Sequence, residues 1–362
     1  MNLTAFTGRV CLGGDPCVTA ADYAAAGHVQ PWPHLPGAAG GGNGCPIDGR
    51  RCEVSLGRDP AVNCTHERRR HATPCVMPPR FSPQTFSARH GRCSGSIGEE
   101  DAVLHHFFGG AAGQPLLRGG VFIELGANDG RKGTNTIFLE HCLGWRGLLI
   151  EGQPTTFERL RSFRSAPSAA KLATAVCETH GHVDFYNKSQ ATAGIPSLMT
   201  ATHRRRWHNR ADSRAVTRVP CGPLGDWLRL LGVARIDLFV LDVEGAELMV
   251  LRTLDWARLS VRVLLAECHA NGCVHERDER VREYLRARGL DRVGVLRARD
   301  DIWDAVYVSW PLLKAASPRL DVPFGSGAVQ PPYKPPQRRA KNPRKSREKE
   351  EADATARNRK RQ

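Results

Sequence analysis

Val121-Phe-Ile-Glu-Leu-Gly-Ala-Asn-Asp-Gly130, followed about one helix later by Gly147-Leu-Leu-Ile-Glu151, sets the fold of this chain. An apolar run ending in an acid and two glycines reads as a buried parallel strand that enters a tight ligand-binding turn. The second apolar run also ends in an acid, Glu151. In open α/β sheets ligands bind outside the carboxyl ends of the strands. An acid at the tip of the second strand is placed there to accept both hydroxyls of a ribose. The pair therefore predicts an adenosine-containing ligand.

The glycine spacing narrows the ligand. Gly126 and Gly130 are separated by Ala-Asn-Asp, so the loop has neither the G-x-G-x-x-G of dinucleotide folds nor the G-x-x-x-x-G-K-[ST] of a P-loop. Asn128 and Asp129 would crowd and repel a pyrophosphate. They suit a ligand with a cationic centre and an ammonium group, and S-adenosylmethionine (SAM) has both. A strand-turn-helix with no ligand is the bland alternative, and Glu151 weighs against it.

Working outward, regular patterning begins near Ser96. Glu99–Phe108 reads as a helix, Val121–Leu125 as the first strand, Thr134–Leu143 as a helix and Gly147–Ile150 as the second strand. Pro154 suits the first turn of a helix that reaches Phe163, and Lys171–Val176 reads as a third strand. His182–Tyr186 is expected as an extra strand, and the arginine-rich stretch Ser189–Arg218 mostly as loop. Leu224–Leu231 is expected to be helical. Ile236–Leu241 is an almost purely apolar strand that ends in Asp242-Val-Glu-Gly245. A helix over Ala246–Leu254, a strand over Val261–Ala266 and a charged helix over Glu276–Arg288 follow. Two last strands, Arg292–Leu296 and Ala305–Trp310, have too short a link for a crossover and predict a hairpin. After Pro311 the pattern decays. Strands alternating with helices mean a mostly parallel sheet covered on both faces. The expected fold is a doubly wound, Rossmann-like α/β sheet of seven strands with one antiparallel edge strand. Residues 96–312 carry it, behind an irregular Cys/Gly/Pro-rich extension (1–95) and ahead of a disordered Pro-rich and basic tail (313–362).

The chain of 362 residues has a formal charge of +15. Twelve Lys/Arg against four Asp/Glu between Tyr333 and Gln362 account for +8 of it. That segment has too few apolar residues to fold, so the rest is only mildly basic and nucleic acid is not the expected partner. Seven of the twelve cysteines precede residue 100, at Cys11, Cys17, Cys45, Cys52, Cys64, Cys75 and Cys93. None of them forms a C-x-x-C pair, so disulfides are a better expectation than a zinc ribbon. Sequons at Asn2, Asn63 and Asn187 agree weakly with a secretory or Golgi lumen. No basic and apolar leader is visible, which leaves the cytoplasm as the alternative. No apolar run is long enough to span a bilayer, and nothing in the pattern specifies an oligomeric state.

Glu124-Leu-Gly-Ala-Asn-Asp-Gly130, Thr134-Asn-Thr136, Phe138-Leu-Glu140 and Gly144-Trp-Arg-Gly-Leu-Leu-Ile-Glu151 resemble the opening of the FkbM-type methyltransferases. Gly98-Glu-Glu-Asp101 upstream and Val219-Pro-Cys-Gly-Pro-Leu-Gly-Asp-Trp-Leu228 downstream agree. So does Ile236-Asp-Leu-Phe-Val-Leu-Asp-Val-Glu-Gly-Ala-Glu-Leu248, the most specific block. The resemblance spans roughly Gly98 to Trp310. It implies a class I SAM-dependent methyltransferase with strand order 3-2-1-4-5-7-6, acting mostly on hydroxyl oxygens of sugars or small metabolites. It further implies that Glu124, Gly126, Asn128 and Gly130 surround the methionine end of SAM. Glu151 would hold the ribose, Cys177 or Glu178 would lie near adenine, and Asp242 would stand at the reaction face. Gly152-Gln-Pro154 departs from the Pro-Asn-Pro more common in the family.

Methyl transfer to a hydroxyl needs alignment and a base or metal. Asp242, Glu244 and Glu247 cluster around the fourth strand tip, with Glu267 and His269 at the fifth. Asp242, Glu244 and His269 are the catalytic candidates, while Glu247 equally suits the positive end of a helix dipole. A divalent ion on these carboxylates is conceivable but not predicted. Cys268, His269, Cys273 and His275 have a metal-like composition in an awkward geometry. His203-Arg-Arg-Arg-Trp-His-Asn-Arg210, with Arg214 and Arg218, could select an anionic acceptor or simply be solvated. The rival expectations are an RNA methyltransferase using the basic loop and tail and a non-catalytic binding or trafficking protein.

Overall fold

The computed structural model describes residues 8–12, 17–25, 45–47, 50–56, 60–66, 103, 107–108, 117–130, 133–164, 168–186, 192–209, 215–269, 273–299 and 302–316. The expected tail from residue 317 lies outside them. So do Arg210 and Arg214, the signature Gly98–Asp101, and all of the expected helix Glu99–Phe108 except Val103, Phe107 and Phe108, which are buried.

The central sheet forms around β6 (Val121–Leu125), β7 (Arg146–Glu151), β8 (Ala169–Ala173), β12 (Arg235–Leu241), β13 (Ser260–Glu267), β14 (Leu290–Arg299) and β15 (Ile302–Ser309). Read across the sheet these seven run β8-β7-β6-β12-β13-β15-β14, which is the order 3-2-1-4-5-7-6. The five inner strands are parallel, and β15 joins β13 and β14 in antiparallel pairing. Alternate residues feed the two faces. Leu238 and Val240 of β12 pack with Phe122 and Leu149 on one side, and Phe239 and Leu241 pack with Ile123, Leu148 and Ile150 on the other. Burial on both faces explains why these strands read as unbroken apolar runs rather than alternating ones.

Two strands extend this frame beyond the expected seven. β1 (Arg9–Leu12) pairs antiparallel with β8, and β2 (Val18–Thr19) pairs with β1. Cys11 and Cys17 join in a disulfide across their turn, and α1 (Ala20–Ala25) follows. The extension also holds a separate antiparallel meander, β3 (Cys45–Ile47), β4 (Arg50–Leu56) and β5 (Pro60–His66).

Helices α2 (Ile137–Leu143), α3 (Pro154–Phe163), α5 (Leu224–Leu230), α6 (Glu247–Arg252) and α7 (Glu276–Arg286) fall where periodicity places them. Pro154 starts α3, and the Gln153 side chain accepts the Thr156 N–H as its cap. Three segments differ from expectation. The third strand is interrupted at Thr174, and its end, β9 (Ala175–Val176), pairs with a second small sheet. The stretch expected as loop contains α4 (Ala201–Trp207) and β11 (Val216–Gly222). β10 (Gly181–Tyr186) pairs with β11. A further helix, α8 (Trp310–Ala316), follows the hairpin. α4 buries none of its residues fully, so it has no apolar stripe to reveal it. Among the described residues no helix is long and apolar enough to cross a membrane.

Candidate active site

The tips of β6, β7 and β12 converge on a cleft. Gly126 leaves β6 with φ +87°, and a Cβ there would collide with the Asp242 carbonyl. The close approach is fixed by Asp242 N–H donating to Leu125 O (3.1 Å) and Gly126 N–H donating to Ile150 O (3.0 Å). Only glycine permits both the backbone angle and the contact. Gly130, with φ +71°, closes the same turn by donating to Ala127 O (2.9 Å). A side chain there would meet Leu160 and Arg164.

Glu151 ends β7 inside the cleft and is 6% exposed. Its Oε1 accepts the Gln153 N–H (2.7 Å) and its Oε2 the Asn128 N–H (3.0 Å). Burial pushes its carboxyl up to about 7, with these backbone donors opposing the rise. The Gly152 N–H is a third backbone donor opposing the rise, and the carboxylate keeps room for one incoming donor. Beyond Glu151 the wall becomes apolar, with Thr174, Ala175, Val176, Phe185 and Ile195. An acid beside a flat apolar slot is a fitting receptacle for a ribose carrying an aromatic base.

Asp242 stands at the opposite end, open to solvent on one side. Its carboxyl is pushed up to about 8 by desolvation on its enclosed sides and by Glu244, with Glu247 and Glu124 adding to the rise. Glu267, at the tip of β13, is raised well above the ordinary carboxylate range by burial and then by Asp242, to which it is hydrogen-bonded. Carboxylate oxygens of Asp242, Glu244 and Glu267 lie within 4.8 Å of one another. Crowded acids relieve their repulsion by holding protons, and Asp242 and Glu267 both hold theirs more tightly than ordinary carboxylates.

Glu124 sits behind the loop rather than in the cleft. Its oxygens accept the Asn135 N–H (2.9 Å) and the hydroxyls of Thr134 (2.8 Å) and Thr136. Burial raises its pKa, and the charge of Arg164 opposes that. Its role here is to brace the turn, with both oxygens already engaged. Asn128 meets the cleft through its backbone bond to Glu151 and has φ +48°. Cys177 lies one residue past the Val176 wall in a disulfide with Cys221, and Glu178 is exposed; neither lines the cleft.

His269 is held away from the cleft by two acids. Its Nδ1 is 2.7 Å from Asp278 and its Nε2 is 3.1 Å from Glu247. Burial alone would lower its pKa, but the hydrogen bonds and charges of Asp278 and Glu247 outweigh burial and push it up to about 10. An imidazole already protonated at neutral pH has no lone pair with which to accept a proton, so the base role expected for His269 does not fit. Glu247 is 1% exposed and also accepts the Gly245 N–H (3.0 Å), a bracing role. Cys268 and Cys273 form a disulfide, which removes both from any metal set.

Residues 124–291 match the model of the methyltransferase FkbM domain. The chain carries an FkbM methyltransferase domain. None of the curated proteins matches it significantly. Among solved structures, fibrillarin of Aeropyrum pernix in complex with natively bound S-adenosyl-L-methionine is 15% identical. That match covers 53% of this chain and 67% of that one, with a TM-score of 0.33. Precorrin-6y C5,15-methyltransferase of Geobacter metallireducens is 10% identical, covering 54% and 83% with a TM-score of 0.30. The Methanococcus jannaschii fibrillarin pre-rRNA processing protein is 13% identical, covering 72% and 89% with a TM-score of 0.32. Likenesses this distant say nothing of an acceptor.

Within the FkbM domain, Gly126, Glu151 and Asp242 share one cleft. The sequence places His203 in the basic stretch that could select an anionic acceptor, and the structure sets it on α4 facing Glu244. Its Nδ1 lies 3.0 Å from Oε2 of Glu244. The available signal was Thr200, whose side chain accepts the His203 N–H (3.0 Å) as a helix cap. The segment leading into α4 covers the cleft, because Gly194 packs against Met199 and Glu244.

Proposed function

We propose that the protein is a SAM-dependent methyltransferase acting on a hydroxyl oxygen of a sugar, glycan or small metabolite. The observation that carries the reading is the single cleft in which Glu151 of β7 and Asp242 of β12 face each other across the Gly126 turn. Glu151 would hold the ribose, the Thr174–Val176 and Phe185 wall the adenine, and the Gly126 turn with Asp242 the amino-acid end. When bound, SAM supplies an electrophilic methyl group. The chain's own contribution is alignment, exclusion of water by the 193–199 cover, and removal of the hydroxyl proton.

The exposed face of α4 supports an anionic acceptor. Arg204, Arg205 and Arg206 point outward, and the Arg206 guanidinium lies 4.7 Å from the ring centroid of the half-exposed Trp207. Such a face offers charge-assisted contacts to acidic or phosphorylated sugars. The same features are the case for the RNA reading, which predicts a steep loss of acceptor binding with salt. The disulfides Cys177–Cys221 and Cys268–Cys273, both inside the domain, support an oxidising lumen as its compartment.

The test is incubation with methyl-labelled SAM and separate glycan, small-molecule and RNA fractions of the source cell. Label in the glycan or metabolite fraction supports the reading. Label confined to RNA overturns it in favour of the rival.

A further inference from the structure

We infer that His203 is the base that takes the proton from the acceptor hydroxyl, oriented by Glu244. The inference rests on the hydroxyl-methyltransferase reading and supplies the base that reading needs. Nδ1 of His203 is 3.0 Å from Oε2 of Glu244, and the two side chains are 16% and 9% exposed. A carboxylate there fixes the neutral ring with its proton on Nδ1 and leaves the lone pair on Nε2. Nε2 is buried and has no hydrogen-bond partner in the structure. A buried polar atom left without a partner is costly, and such atoms point to a role that a ligand completes.

Position supports the role. Glu244 belongs to the carboxylate group that includes Asp242, and Asp242 lines the cleft. Glu244 itself has φ +56°, an unfavourable backbone angle for a residue with a side chain, in the turn that follows β12. From above, α4 carries His203 over the same tip, anchored by Arg277 donating to the Leu198 carbonyl. Among the described residues, the charged or titratable groups facing His203 are Glu244 and His208, the two histidine ring centroids being 5.7 Å apart. Asp242 and Glu267 lie behind Glu244. His208 is engaged elsewhere, with its Nε2 2.9 Å from Thr192 O and its ring stacked on Tyr186.

In the step, the acceptor hydroxyl passes its proton to Nε2, and its oxygen lone pair forms the new O–CH₃ bond. The pair from the broken S–CH₃ bond stays on sulfur and cancels the sulfonium charge. The imidazolium faces the Glu244 carboxylate until it returns its proton to solvent.

Two measurements test this. Nitrogen NMR of the histidine rings in SAM-free protein should show the neutral form of His203 with its proton on Nδ1, and Glu244→Ala should depopulate that tautomer. A neutral ring protonated on Nε2 overturns the assignment. With methyl-labelled SAM and the glycan fraction as probe, His203→Ala should lower turnover about 100-fold or more, with the Kd for SAM unchanged within threefold. Added imidazole should restore part of the rate. At saturating SAM, where ionisation of Glu151 and Asp242 no longer limits binding, the acid limb of the wild-type rate profile should vanish in His203→Gln. Equal turnover in the variants overturns the base role alone. Wild-type protein that binds SAM and labels no glycan overturns the hydroxyl reading and this assignment together.

Discussion

Arg164 and Glu140 form an ion pair in which neither side chain is exposed, with Nη2 2.5 Å from Oε2. Ser168 donates to the other oxygen of Glu140 (2.6 Å). Arg164 also donates to Thr134 Oγ1 (3.2 Å), Thr136 Oγ1 (3.3 Å) and Gly130 O (3.4 Å). Thr134 and Thr136 in turn donate to Glu124. The guanidinium thus ties the Gly130 turn to the strand acid beneath it. Removing one partner of a buried pair strands the other charge, at a cost of about 3–5 kcal/mol. Arg164→Leu is expected to lose that much stability in denaturant titration and to weaken SAM binding as the turn loosens. A loss under about 1 kcal/mol would show that the network is dispensable.

Gly126→Ala tests the close approach of the two strand tips. The added methyl group meets the Asp242 carbonyl, and φ +87° disfavours any side chain. Backbone strain of this kind costs about 1–3 kcal/mol before the collision is counted. The expected result is a lowered Tm together with loss of measurable SAM affinity. Retention of both would mean that the tips can separate freely.

The acids of the cleft give stability a definite pH dependence. Glu151 rises from 4.5 to about 7 and Asp242 from 3.8 to about 8 on folding. His269 rises from 6.5 to about 10. In all three cases the folded state holds the proton more tightly than the unfolded chain, so stability falls as pH rises through these windows. The Tm of the SAM-free protein should therefore drop between pH 6 and pH 9. A cationic ligand needs the acids ionised, so SAM affinity should climb over the same range. A SAM affinity that falls from pH 6 to pH 8.5 would contradict the assigned roles of Glu151 and Asp242.

The Cys177–Cys221 disulfide spans 44 residues and bridges the end of β9 to β11 beside the apolar wall of the cleft. A cross-link closing a loop of that length contributes about 2–4 kcal/mol. Replacing both cysteines with serine should cost that amount in denaturant titration. Stability equal to the wild type under oxidising conditions would show that the bond does not form in the folded protein.

Much of the frame was legible because buried parallel strands announce themselves. The runs ending at Leu125, Ile150, Leu241 and Ala266 are apolar on both faces, and each tip carries or precedes an acid. The glycine spacing at Gly126 and Gly130 was equally readable, since only a close backbone approach explains it. Less visible were features that exist only through contacts distant in sequence. Glu124 looked like a ligand-facing acid because its partners Thr134, Thr136 and Arg164 are brought to it by folding. His269 looked like a free histidine until Asp278 and Glu247 were found on either side of it. His203 was hidden in an arginine-rich helix without an apolar stripe, so its pairing with Glu244, 41 positions later, left no periodic trace. β1 escaped because four residues, Arg9–Leu12, are too few to carry a pattern.

The central claim is that Glu151 and the Gly126 turn hold SAM, and calorimetric titration tests it most directly. Wild-type protein at pH 8 should bind SAM at a single site. Glu151→Ala should raise the Kd roughly ten- to hundredfold, matching about 1.5–3 kcal/mol for hydrogen bonds to a charged group. Absence of binding by the wild type, or equal affinity in Glu151→Ala, would contradict the account.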